Sequence, residues 1–153
     1  MSVSGRTSIM RAATIVALVS LTCILACGGG EAEEKAQALE TARSWAEENT
    51  QTVVSEVVAF IASGIPGASL LDDLIAEQVV KLLTWEFSDP VKTGEGSYAV
   101  LATVSTSVEL DLPVVGERGY KASLPFNLRV DAGAGEVTGW SPDLSQADVS
   151  EVE

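Results

Sequence analysis

The feature that most constrains the fold is an alternating pattern of side chains over residues 98–112. In this stretch, YAVLATVSTSVELDL, the even-numbered positions read Tyr98, Val100, Ala102, Val104, Thr106, Val108, Leu110 and Leu112. A period of two is the pattern of a β-strand with one buried face. If unbroken, the strand extends about 50 Å at 3.3 Å per residue.

A second alternating stretch, YKASLPFNLRV at 120–130, predicts a partner strand in which Pro125 marks a bulge or an edge. The segments PVVGERG (113–119) and DAGAGE (131–136) have the composition of turns. With WEFSDPVK (85–92) before them and VTGW (137–140) after them, these stretches predict a four-stranded antiparallel meander.

Helical spacing precedes the strands. Over residues 34–62 apolar side chains recur mostly at threes and fours, and the β-branched stretch 49–54 predicts a bend within this helix. We expect SGIPG (63–67) to end it, with Gly64 free to take a positive φ, and the capping-box-like SLLD to open a second helix at Ser69. Two helices on one face of a meander sheet make an α+β two-layer domain, here residues 35–142.

The N-terminal segment has the pattern of a secretory signal peptide, residues 1–26. Arg6 and Arg11 occur without an acid in residues 1–11, and residues 12–26 are apolar or small. Fifteen helical residues would span only about 22 Å, which is short of the roughly 30 Å hydrocarbon core of a bilayer. The segment therefore predicts export rather than a membrane span.

The sequence ILAC, Ile24 to Cys27, resembles the lipobox of bacterial lipoproteins. This resemblance implies that Cys27 receives a diacylglycerol thioether, becomes the mature N-terminus and anchors the exported chain in a membrane. Gly28 in place of Asp implies no inner-membrane retention in a host with two membranes. The expected location is therefore the periplasmic face of the outer membrane or the cell surface, depending on the envelope of the host.

An alternative is a plain cleaved signal peptide that leaves Cys27 free or disulfide-bonded to a second chain, because Cys23 departs with the signal peptide. After a lipidated Cys27 we expect residues 28–34 to form a flexible tether of roughly 15 Å reach. At the other end, DLSQADVSEVE (143–153) is an acidic tail without a basic residue, which we expect to fray.

The element order of residues 34–141 also resembles the cystatin-like and NTF2-like domains of small bacterial lipoproteins. That resemblance implies that helix and curved sheet can enclose a pocket, but function does not follow from a fold.

Charge and composition exclude several kinds of chemistry. The net charge of −13 argues against a nucleic-acid partner, because phosphate binding needs clustered Lys and Arg. The chain has no histidine, which excludes histidine-based triads and zinc sites, and GxSxG, S-x-x-K and Walker sequences are absent. GAGEVTG (133–139) is interpreted as a turn rather than a dinucleotide loop, because no helix follows it.

We expect no cofactor and no metal. The carboxylates remain as acid/base or calcium candidates, with the pairs Asp72/Asp73, Glu47/Glu48 and Glu109/Asp111.

Five further residues are candidates for ligand or partner contacts. Trp45, Trp85 and Trp140 could line a pocket, although tryptophans of this kind are more often part of a core with the indole N–H at its margin. Val114 and Val115 lie at the predicted tip of the first hairpin, where they offer a contact to a partner or fold back onto their own domain.

The leading hypothesis is a lipid-anchored, non-catalytic envelope protein that binds a protein partner or a small ligand. The alternatives are a carboxylate-dependent enzyme with an NTF2-like pocket and a purely structural or assembly lipoprotein.

Overall fold

Three helices precede six strands in the part of the chain that the structure, a computed structural model, describes, which is residues 30–113 and 116–152. The helices are α1 (Gly30–Glu48), α2 (Thr50–Gly64) and α3 (Asp72–Leu82). The strands are β1 (Thr84–Phe87), β2 (Val91–Gly94), β3 (Ser97–Leu112), β4 (Gly116–Asp131), β5 (Glu136–Pro142) and β6 (Asp148–Val152). The predicted signal peptide at 1–26 lies outside the described residues, as do Cys27, Val114 and Val115.

The strands form one open antiparallel sheet built around β3 and β4. These two pair along their whole length, from Ser97 opposite Asp131 to Leu112 opposite Gly116. Both β1 and β2 pair with the other edge of β3, and both β5 and β6 pair with the other edge of β4. The predicted α+β class with N-terminal helices and an antiparallel sheet is confirmed. The prediction of four strands was approximate, because each outer position of the sheet is divided into two strands.

Pro125 lies where one of these divided edges changes strand. It is buried inside β4, opposite Thr103 of β3, rather than at an edge or a bulge of the β3–β4 ladder. The carbonyl of Pro125 accepts the N–H of Asp143 at 2.7 Å, so the side of Pro125 that lacks an N–H faces away from β3. That side falls between β5, which pairs with Phe126–Asp131, and β6, which pairs with Gly119–Ser123. The proline therefore costs the sheet no bond to β3.

The long predicted helix is divided at Asn49, at the start of the stretch for which a bend was predicted. The side chains there compete for main-chain carbonyls: Asn49 Nδ2 donates to Trp45 O at 2.9 Å and Thr50 Oγ1 donates to Ala46 O at 3.0 Å. Such side-chain bonds offer the backbone an alternative to the helical ladder. The predicted bend is therefore a break between two helices, which raises the helix count to three.

The connection to α3 differs from the prediction in two details. Gly67, with φ of 86°, takes the positive φ that we expected at Gly64. Ala68–Leu70 forms a 3-10 turn, and α3 starts at Asp72 after Leu71, which makes no side-chain capping bond. The capping role predicted for Ser69 is therefore wrong.

The core lies between the helices and the even-numbered face of β3 and β4, as the alternating pattern predicted. The α1 helix packs across β3, β4 and β5, whereas α2 packs against β4 and α3, and α3 against β3. The largest fully buried side chains are Tyr98, Phe126, Ile61, Ile75, Leu110, Leu124, Leu128, Val53, Val57, Val79, Val100 and Val104. Odd-numbered positions of β3 are exposed or half-buried, so the other face of the sheet meets solvent.

Two segments expected to be flexible are ordered parts of the fold. Residues 30–34 of the expected tether form the first turn of α1, in which Glu34 accepts a hydrogen bond from Tyr98 Oη at 2.6 Å. In the expected tail, Asp148–Val152 is β6, and Val149 packs against the core. Both segments are held by partners distant in sequence, which a local reading of composition does not reveal.

Candidate functional site

A groove of about 640 Å³ runs between α1 and the start of β5. We call it the acidic groove. One wall is the outward side of α1 and the other is the β4–β5 turn with the first residues of β5. Its lining residues are Glu33, Ala36, Gln37, Glu40, Thr41, Ser44, Trp45, Glu48, Gly135, Glu136 and Val137. The volume is in the range of ligand sites, roughly 300–1,000 Å³.

The helical wall of the acidic groove follows from the spacing of polar residues on α1. Positions 33, 37, 40, 44 and 48 recur at three and four and therefore form one stripe along the helix. At 1.5 Å per residue this stripe is about 22 Å long. The opposite stripe of α1, with Ala38, Ala42, Trp45 and Ala46, is buried on the sheet. The same amphipathic pattern thus seats the helix and leaves its acidic side open.

The electrostatics of the acidic groove are one-sided. Four carboxylates line it, from Glu33, Glu40 and Glu48 on α1 and Glu136 on β5, and none of its lining residues is basic. The four ion pairs among the described residues involve Glu31, Glu77, Glu34 and Glu151 instead. The four carboxylates of the groove therefore form no ion pair with a described side chain.

The structure brings the three candidate tryptophans into one aromatic cluster with Phe126 at its centre. The ring centroids of Trp45 and Trp140 are 5.5 Å apart, those of Trp140 and Phe126 6.0 Å, and those of Phe126 and Trp85 6.3 Å. Trp45 is 8% exposed and Trp140 is 37% exposed. Trp45 alone among the three lines the acidic groove, so the cluster is mainly a packed layer under α1.

A second surface lies on the face of the sheet away from the helices. A trough of about 430 Å³ crosses four strands there. Thr84, Ser105, Ser123 and Asp148 are directly opposite one another across β1, β3, β4 and β6 and form one row of its floor. Lys121, between Ser107 and Ser150, is the one basic residue among its described lining residues. Its lining combines short hydroxyl side chains with apolar surface from Leu82 and Ala122, and it carries no clustered charge.

Three carboxyl groups have a clearly lowered pKa. Hydrogen bonds from Tyr98, Lys81 and Ser145 lower the pKa of Glu34, Glu77 and Asp143, respectively. In turn the hydrogen bond to Glu34, with burial, raises the pKa of Tyr98 to about 12. A lowered carboxyl pKa is the direction of a stabilised carboxylate, the opposite of what a general acid needs at neutral pH.

Of the carboxylate pairs named from the sequence, Glu47/Glu48 contributes Glu48 to the acidic groove, whereas the other two pairs lie outside it. Asp72 and Asp73 are exposed in the first turn of α3, and Glu109 and Asp111 are exposed on β3. Over residues 30–113 and 116–152 no group of three or more acidic or sulfur side chains could hold a metal ion. Among these same residues, no helix is both long enough and apolar enough to cross a membrane.

Glu109 has a structural role instead. Its backbone N–H donates to Gln78 Oε1 at 2.6 Å, and its carbonyl accepts from Gln78 Nε2 at 2.7 Å. The side chain of Gln78 on α3 therefore substitutes for a neighbouring strand where the edge of β3 extends beyond β1.

The chain matches no protein-family model, and comparison with curated proteins and with solved structures finds no match. Function therefore has to be inferred from the chemistry of the chain itself.

The acidic groove as a whole was not anticipated from the sequence, which named only Trp45 and Glu48 among its lining residues as candidates. Glu33, Glu40 and Glu48 could have been found as a stripe, since their spacing of seven and eight residues is helical. Glu136 carries no such pattern. It joins the groove only because the β4–β5 turn folds back beside α1.

Proposed function

We propose that this protein is a lipid-anchored envelope protein whose domain is a non-catalytic binding module, and that the acidic groove binds a Lys- or Arg-rich segment of a protein partner. The observation that carries the proposal is the set of four carboxylates along one groove without a neutralising cation among the lining residues.

The chemistry of the groove favours an extended cationic chain over a small apolar ligand. Opposite charges along about 22 Å speed association and fix the register of a partner. Between the carboxylates, Ala36, Trp45 and Val137 offer apolar surface. Lys and Arg place their methylene stems on such surface while the charged groups meet the carboxylates.

The proposed anchor is the acylated Cys27, at the periplasmic face of the outer membrane or at the cell surface. Burial of acyl chains stabilises membrane attachment by about 0.8 kcal/mol per methylene, so two or more chains give a stable anchor. The proposed anchor is supported by three features of residues 1–27: the basic residues at the start, the apolar stretch that follows and the ILAC sequence at the end.

The groove is tested with a Lys- and Arg-rich decapeptide as the probe. We expect binding that weakens as salt is raised, and a loss of at least tenfold in affinity when Glu33, Glu40, Glu48 and Glu136 are all changed to Gln. The matched control changes Glu86, Glu95, Glu109 and Glu117 to Gln, which removes the same charge at residues that do not line the groove. Equal losses in both variants would show binding to net charge rather than to this site.

The anchor is tested by metabolic labelling with a fatty-acid probe in a bacterial host. We expect the full chain to be labelled and Cys27→Ala to lose the label, whereas Cys23→Ala keeps it because Cys23 lies in the signal peptide. Labelling of Cys27→Ala at the level of the unchanged chain would contradict the proposed anchor.

A further inference from the structure

The start of α1 is fixed at one end of the sheet. Tyr98, near the start of β3, donates its hydroxyl to Glu34, and Lys92 of β2 lies 3.5 Å from the same carboxylate. At this end the β2–β3 and β4–β5 turns also meet, since the N–H of Ala132 donates to Gly96 O at 2.9 Å. We call the first turn of α1 with these two turns the base of the domain, residues 30–34, 95–96 and 132–135.

Covalent geometry places the base close to Cys27. Three residue steps separate Cys27 from Gly30, the first residue of α1. Because an extended chain spans at most about 3.6 Å per residue, the two Cα atoms lie within about 11 Å of each other, whatever the conformation between them. By contrast, β3 runs for 16 residues away from the base, which corresponds to about 50 Å.

Electrostatic repulsion from an anionic membrane influences the orientation of a domain that is anchored at one end. Both ends carry exposed acids, Glu31, Glu33 and Glu95 at the base and Glu109, Asp111 and Glu117 at the far end. Because the short link to Cys27 keeps the base near the bilayer in every orientation, only the far end can move away from it. If the domain lay flat on an anionic bilayer, the acids of the far end would come within the Debye length, about 8 Å at physiological salt, and would be repelled. An orientation with the far end raised removes this repulsion.

We propose that the base of the domain faces the bilayer and that the β3–β4 hairpin projects away from the membrane, so that the domain stands on its end. This orientation rests on the proposed lipid anchor at Cys27. It brings the start of the acidic groove, at Glu33 and Gly135, nearest the membrane and directs the groove outward along α1.

The orientation is tested with single thiols on the purified acylated chain. With Cys27 acylated and Cys23 removed, Glu95→Cys in the base and Glu117→Cys at the far end each supply a unique thiol for a fluorophore. Both positions are exposed, and both changes remove one acid. In phosphatidylethanolamine–phosphatidylglycerol vesicles that contain a headgroup nitroxide lipid, we expect the base label to be quenched several-fold more strongly than the far label.

Equal quenching of the two labels, or stronger quenching at Glu117→Cys, in protein that floats with the vesicles would overturn the orientation and leave the anchor intact. Protein that does not float, or whose mass lacks acyl chains, would overturn both. As a control, twenty Gly and Ser residues inserted between Gly29 and Gly30 lengthen the reach by about 25 Å. In that variant we expect the difference between the two labels to shrink.

Discussion

Two buried polar side chains on the even-numbered face of β3 differ in how well they are satisfied. Tyr98 is 1% exposed, and its hydroxyl donates to Glu34 at 2.6 Å. Thr106 is 6% exposed, and its Oγ1 has no hydrogen-bond partner among the described residues. A buried polar group that lacks a partner is destabilising, whereas one bonded to a charged group is stabilising. The alternating pattern predicts burial of both side chains, yet the Tyr98 hydroxyl stabilises the fold and the Thr106 hydroxyl destabilises it.

Replacing Thr106 by Val is expected to stabilise the protein by about 1 kcal/mol, because the variant keeps the shape and removes the unpaired hydroxyl. Thr106→Ser keeps the hydroxyl and deletes a methyl group, so it should destabilise by about 1 kcal/mol. Denaturant unfolding of both variants measures the difference. Destabilisation by Thr106→Val would mean that the hydroxyl has a partner.

The bond between Tyr98 and Glu34 predicts a pH dependence with two limits. The pKa of Glu34 is lowered from 4.5, so its contribution to stability is present at neutral pH and is lost as pH falls below that value. The pKa of Tyr98 is raised from 10.0 to about 12, so its contribution is complete below pH 10.0 and is lost as pH rises toward 12.

We therefore expect Tyr98→Phe to lower the melting temperature by a few degrees at neutral pH, and the deficit to shrink at both extremes. The comparison with the unchanged protein cancels the titration of the remaining groups. A deficit that does not vary between pH 3 and pH 11 would contradict the assigned coupling.

At the scale of elements, the two long strands are accompanied by short ones at both edges. The β1–β2 edge is interrupted after Ser88, whose Oγ accepts the N–H of Leu101 at 2.9 Å while its own N–H donates to Leu101 O. The β5–β6 edge is interrupted opposite Pro125. Short edge strands limit pairing between molecules. They are also difficult to recognise in a sequence, because four or five residues carry little periodicity.

The strand β6 makes a testable difference to stability. In a chain that ends after Gln146, β4 loses its partner over Gly119–Ser123, and Val149 no longer packs against the core beside Gly64. We expect destabilisation by about 1–2 kcal/mol, from the partial burial of Val149 and the lost pairing with β4. Denaturant unfolding measures it, with a chain that lacks Glu153 alone as the control. An unchanged midpoint would restore the expectation of a frayed tail.

For the whole molecule, negative charge is distributed unevenly. The net charge is −13, and four carboxylates that form no ion pair with a described residue share the acidic groove. Along α1, Glu33, Glu40 and Glu48 are separated by about 10–12 Å. This distance exceeds the Debye length at 0.15 M salt, about 8 Å, but is well within the 30 Å at 0.01 M. Their mutual repulsion therefore matters at low salt.

We expect the melting temperature of the unchanged protein to rise as salt is raised from 0.01 M. The variant with Gln at Glu33, Glu40, Glu48 and Glu136 should melt a few degrees higher than the unchanged protein at low salt, and this advantage should diminish as salt is added. The control with Gln at Glu86, Glu95, Glu109 and Glu117 should gain less. An equal rise in melting temperature in both variants would show that repulsion between carboxylates is no stronger in the groove than elsewhere on the surface.

The sequence alone determined the class of the fold, because periods of 3.6 and 2 follow from backbone geometry within one element and appear locally in the pattern of apolar residues. It placed the helices first, the two long strands and the turn between β4 and β5, and it predicted a bend where α1 and α2 divide. Tertiary structure decided what depends on contacts distant in sequence: the bond that holds Glu34, the pairing that orders β6, the divided edges, and the approach of Glu136 to α1. The acidic groove belongs to this second group, because a groove between two elements exists only once both are packed on the same sheet.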